Sequence, residues 1–135
     1  MTANPAKPGT ATLSMTGQSF SGCTVSTSGI TVKSVAAYKL PFKTTVSDAK
    51  GLPVTVTKPG AVVTVSALGT TITCTYQAPK ISGTASNTGS SVAFANQTFT
   101  LVSGGSLCPS SGTLSVTYAP LADTSVKGDP HVFVN

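Results

Sequence analysis

The residues that ordinarily carry chemistry are few enough to name: Asp48, Asp123, Asp129, the single His131, and Cys23, Cys74 and Cys108. General acid and base work needs carboxylates or imidazoles held near one another. Glu is absent, and the closest pair is Asp129 and His131, in Lys127-Gly128-Asp129-Pro130-His131. On a strand that spacing puts both on one face, but a metal site needs more ligands than a lone pair supplies, and a polar connector is the plainer reading. Asp48 sits in an Asp-Ala-Lys-Gly turn, where a carboxylate usually bonds backbone amides. No Gly-x-Ser-x-Gly elbow accompanies the many serines, the imidazole is remote from every cysteine, and no glycine-rich loop opens a helix to cradle phosphate. The expectation is a chain without catalytic residues, metal ligands or cofactor.

The cysteines lack the CxxC or CxH spacing of metal ligands, so disulfides are the natural reading. Three cysteines leave the connectivity open. The favoured pair is Cys74 with Cys108, and Cys23 is then left over, either as a small buried apolar residue or as a link to another chain.

The net charge of +5 comes from eight lysines set against three aspartates, with no arginine. The lysines are scattered, and without guanidinium groups the chain lacks the bidentate fork that reads guanine or grips phosphate. Nucleic acid is therefore not an expected partner, while diffuse positive charge leaves weak attraction to an anionic cell wall or polysaccharide. Among the aromatics, Tyr38 and Phe42 flank Lys39-Leu40-Pro41, and Tyr38, Lys39 and Phe42 are the candidate ligand surface, with packing at a sheet edge as the plainer alternative. Asn96-Gln97-Thr98 matches a glycosylation sequon. Thr55, Thr57, Thr71, Thr73 and Thr75 alternate and would present hydroxyls on the wet side of a sheet.

These residues must be positioned by strands. Apolar residues recur at every second position: Ala11, Leu13 and Met15; Ile30 and Val32; Leu52, Val54 and Val56; Val63, Val65 and Ala67; Ile72, Cys74 and Tyr76; Val92 and Phe94; Phe99 and Leu101; Leu114, Val116 and Tyr118. That period belongs to strands, and helical spacing is absent at any useful length. After Val32 the phase slips to Val35 and Ala37, which predicts a β-bulge near Lys33 and Ser34. Lys58-Pro59-Gly60 reads as the turn of a hairpin joining the strands on either side of it. About nine to eleven short strands predict an all-β, antiparallel two-sheet sandwich, Ig-like or jelly-roll-like, with a β-barrel as the alternative.

Residues 1–9 read as a flexible, Pro-rich start with no apolar leader, residues 10–120 as the sandwich domain, and residues 121–135 as a connector and C-terminal strand. The run Val132, Phe133, Val134 would complete a sheet edge or be offered to a neighbouring molecule. No apolar run reaches the ~20 residues that span a bilayer.

Ser19-Phe20-Ser21-Gly22-Cys23, Leu40-Pro41-Phe42, Cys74, Cys108 and Thr117-Tyr118-Ala119-Pro120 together resemble a family of small secreted actinobacterial proteins and, more distantly, the envelope proteins that activate alkane oxidation. That family more often carries Trp where this chain has Phe42, and four cysteines. The resemblance implies an exported, non-catalytic β-sandwich. The expected function is a secreted or cell-surface structural or protein-interaction module, binding other extracellular proteins or itself by strand exchange, with Cys23 and Val132 to Val134 as assembly devices. The alternative is an extracellular carbohydrate- or small-ligand-binding domain, and a third reading is a hydrolase inhibitor acting through the loop from Ser103 to Ser110.

Overall fold

The computed structural model describes residues 9–121, Lys127 and Val134. Thr is the most frequent residue of this stretch and Val lines its inward positions; both lose rotamer freedom in a helix and stand well on a pleated surface. Among the described residues nine strands form: β1 (Thr10–Met15), β2 (Ile30–Ala37), β3 (Phe42–Ser47), β4 (Pro53–Thr57), β5 (Gly60–Ala67), β6 (Thr70–Gln77), β7 (Lys80–Ser86), β8 (Ser91–Ser103) and β9 (Ser111–Tyr118). All pair antiparallel, so the all-β antiparallel class read from the sequence is what forms. The strands are not divided between two hydrogen-bonded sheets. One open sheet runs β1-β3-β4-β7-β8-β6-β5-β2, with β9 added to β8.

The single sheet follows from one long bent hairpin. The sequence reading joins β4 to β5 through a turn at Lys58-Pro59-Gly60, but β4 pairs with β7 and β5 with β6, in a register that continues from Thr57↔Lys80 to Gly60↔Gln77. Across the break the Lys58 amide donates to the Pro79 carbonyl and the Ala78 amide to the Pro59 carbonyl, each at 3.0 Å. Proline has no N–H to give, so each proline accepts while the residue before it donates. Lys58-Pro59 and Ala78-Pro79 are therefore a corner through which the ladder passes. The true turn is Leu68-Gly69, between Ala67 and Thr70, where φ is 51° and 78°; two positive φ values suit a two-residue hairpin of the I′ kind.

Irregularities keep apolar side chains facing inward. The β-bulge expected near Lys33 and Ser34 is present, as a register shift between Val32 and Ser34 against β5. Val32 and Val35 would otherwise point to opposite faces. In β8 a second shift lies between Phe94 and Gln97, with Asn96 at φ 51°, and it brings Phe94 and Phe99 into one core although they are an odd number of residues apart.

The buried cluster draws on both limbs of the corner: Phe42, Val54, Val56 and Ile81 from one, Val65, Cys74 and Tyr76 from the other, with Val92, Phe94 and Phe99 of β8. The sheet is thus folded over a single core. Gly83, opposite Phe94, leaves room for its ring, since a Cβ at Gly83 would stand 2.7 Å from the Phe94 Cδ1. Phe94 in turn meets Tyr118 edge-on, with centroids 6.3 Å apart.

Cys74 and Cys108 are bonded, tying β6 to the β8–β9 loop across 34 residues. Closing a loop of that length stabilises by about 4 kcal/mol on the chain-entropy account. Beside it the Tyr76 hydroxyl donates to the Pro109 carbonyl at 2.9 Å.

Candidate functional site

The buried cluster holds Phe42, Phe94, Phe99 and Tyr76 beside Val, Ile, Ala and Cys, with no Trp in the chain, and it fills the space between two facing limbs incompletely. A cavity of about 410 Å³ remains between them. Val56, Ile81, Phe94 and Leu114 form one wall, and Val32, Val35, Val63 and Val65 form the other. The connector from β1 to β2, residues 16–29, covers it with Gln18, Phe20, Cys23 and Val25. Thr24, Ser26, Thr27, Ser111 and Thr113 also line it and are exposed, which marks the mouth. No Lys, Asp or His is among the described residues lining the cavity.

Two phenols reach this space. The Tyr76 hydroxyl is spent on Pro109, and burial pushes its pKa up. Tyr118 accepts a hydrogen bond from the Gln18 amide at 2.6 Å. Burial pushes the Tyr118 phenol up as well, and the Gln18 bond opposes this more weakly. Both phenols therefore stay neutral well past the neutral range.

The other candidates are distributed differently. Cys23 is a free thiol and exposed, so it is not a buried apolar residue; it stands at the cavity, held in a connector of Ser, Gly and Thr that offers no core to enter. Tyr38, Lys39 and Phe42 do not make one surface. Phe42 is 2% exposed and corrects the expectation of an exposed aromatic: β3 begins there, and Phe42 shares the inward phase with buried Thr44. Tyr38 lies against Gly60, where a Cβ would come 3.0 Å from its Cδ1, and the Lys39 Nζ sits 4.9 Å from the Tyr38 ring centroid, over a face that a sugar would need.

Asp48 caps backbone, as its turn suggested, but it reaches across to β1: the Gly9 amide donates to its Oδ1 at 2.7 Å. Gly9, expected in the flexible start, is tied there, whereas residues 1–8 lie outside the described residues. So do Asp123, Asp129, His131, Val132 and Phe133. Val134 is described, and its backbone is gripped by the Asn87 side chain, which donates to its carbonyl and accepts from its amide, both at 2.7 Å. Asn96 is exposed on the β8 bulge. Thr71 and Thr73 are exposed on β6, while Thr55 and Thr57 lie beyond the corner on β4, so the five threonines share no single plane.

Among the described residues, no three His, Cys, Asp or Glu side chains come together as a metal site, and no helix is long and apolar enough to cross a membrane. The cavity and the Gln18–Tyr118 pair that lines it are not apparent from sequence; the one signal available is the absence of Trp. Comparison with protein-family models, curated proteins and solved structures finds no match to the chain.

Proposed function

We propose that the chain is an exported, non-catalytic binding domain that holds a small apolar molecule between the two limbs of its folded sheet. The observation that carries this reading is the cavity of about 410 Å³, a size typical of small-molecule sites. Left empty, its Val, Ile and Phe walls forfeit dispersion contacts. Water is a poor substitute, because it needs two to four polar partners that apolar walls do not offer. An occupant with hydrocarbon bulk recovers those contacts. The disulfide fits an oxidising compartment, which supports the exported setting.

The test is titration with N-phenyl-1-naphthylamine, a neutral dye whose fluorescence rises in apolar surroundings. Saturable enhancement is expected, weakened by Val63→Trp, which fills part of the cavity. Absence of any enhancement with the folded, disulfide-intact protein would refute the reading.

A second reading, assembly by strand addition, has one observation in its favour: among the described strands β9 pairs with β8 alone and leaves an edge. A strict monomer in light scattering at high concentration would remove it.

A further inference from the structure

Resting on the cavity reading, we infer that the ligand is an uncharged amphiphile, a hydrocarbon body with one hydroxyl or carbonyl oxygen that hydrogen-bonds to the Gln18–Tyr118 pair. The first ground is the charge of the lining. No ionisable side chain that is charged at neutral pH lines the cavity among the described residues. An ion brought in would lose its hydration without gaining a counter-ion, a penalty of several kcal/mol. A carboxylate or an ammonium group is therefore excluded from the interior, although the scattered lysines would draw anions to the outside.

The second ground is hydrogen-bond accounting. Gln18 donates its amide N–H to the Tyr118 oxygen at 2.6 Å. A phenol has one O–H to give and an oxygen that accepts. The oxygen is engaged, and the hydrogen has no acceptor among the described side chains and backbone groups. If the amide is turned about, the phenol donates to Gln18 and both amide N–H groups are left instead. In either arrangement the pair keeps at least one N–H or O–H without a partner among the described residues, beside the Val and Phe side chains of the lining. Tyr76, the other phenol of the lining, offers nothing comparable because its O–H is donated to the Pro109 carbonyl. Burial favours the neutral phenol at Tyr118, so it remains a donor under all ordinary conditions.

An unspent donor beside apolar walls favours a ligand with an oxygen: an alkane leaves it unpaired, and an alcohol or ketone pairs it, while the hydroxyls of Thr24, Ser26, Thr27, Ser111 and Thr113 stand exposed at the mouth. Tyr118 ends β9 and Gln18 lies in the connector that covers the cavity, so both members of the pair belong to its lining.

The experiment displaces N-phenyl-1-naphthylamine with 1-decanol, decane, decanoate and decylammonium at pH 8, using the disulfide-intact protein, Tyr118→Phe and Gln18→Leu. Decanol is expected to compete at least about tenfold better than either ion. Tyr118→Phe is expected to weaken decanol about three- to tenfold, the range of one neutral hydrogen bond, and to leave decane unchanged. Gln18→Leu serves as a second variant should the first lower the melting temperature. Decanoate or decylammonium binding as tightly as decanol, or equal losses for decane and decanol in the variants, overturns the inference while the dye still binds. If dye and all four compounds fail to bind wild type, the cavity reading falls and this inference with it.

Discussion

The Tyr118 phenol oxygen lies 2.6 Å from the amide nitrogen of Gln18, one hundred positions earlier in the chain. This bond fastens the irregular connector between β1 and β2 to the last strand, across the cavity it covers. Few other contacts hold that connector in register; the isolated bridge Ser19↔Ala36 is one.

Gln18→Ala should therefore loosen the cover more than it unfolds the domain. The expected loss of stability is about 1 kcal/mol, the net worth of one such bond. Backbone amides of the same connector, residues 16–29, should exchange faster with deuterium, and unchanged exchange rates would show that the cover is held by other means.

Gly83 is required by the β8 backbone and the Phe94 ring opposite it. A methyl group there would collide first with the Ala93 carbonyl oxygen and then stand 2.7 Å from Phe94 Cδ1, so the β8 backbone must shift as well as the ring and its edge contact to Tyr118. Gly83→Ala should destabilise by about 1–3 kcal/mol, read as a lower denaturant midpoint, even though alanine has the better propensity in a free strand.

At the hairpin tip, Leu68 is 87% exposed and holds φ 51°. A branched aliphatic residue pays for that left-handed conformation and buries nothing in return. Leu68→Asn places the preferred Asn-Gly pair in the turn and should raise stability by about 1 kcal/mol, visible as a higher melting temperature.

The two buried phenols give a pH dependence of definite sign. Burial raises the pKa of Tyr76 and of Tyr118 above the ordinary phenol value of 10.0. The folded state therefore holds those protons more tightly than the unfolded chain. Their contribution is fully present below pH 10 and is lost as pH rises through the folded values. Melting temperatures measured upward from pH 9 should fall, and the fall should be shallower in Tyr118→Phe.

Much of the secondary structure is readable from the residues. Ala11, Leu13 and Met15 mark β1, and the phase slip from Val32 to Val35 locates a bulge that the β2–β5 register reproduces. The Cys74–Cys108 pairing also forms as favoured. What escapes a local reading has local causes. β3 is hidden because Thr44, 5% exposed, stands at an inward position between Phe42 and Val46. β7 is hidden because its inward residues after Ile81 are Gly83 and Ala85. Lys58-Pro59-Gly60 carries the chemistry of a turn, and only the partner strand, through Ala78-Pro79, makes it a corner.

The candidate site is legible in still smaller part. Tyr118 appears in sequence as one more inward aromatic, and Gln18 as filler in a polar connector. Their meeting depends on how the sheet folds over, as does the gap between Val56 and Val63. No periodicity encodes a space that side chains fail to fill.

The most direct measurement is a methyl NMR titration of the disulfide-intact protein with 1-decanol. The account predicts saturable shifts at Val56, Val63 and Val65, which line the cavity, with Val102, which is 52% exposed, unmoved. Shifts confined to surface valines, or none at any concentration up to the solubility limit, would contradict it.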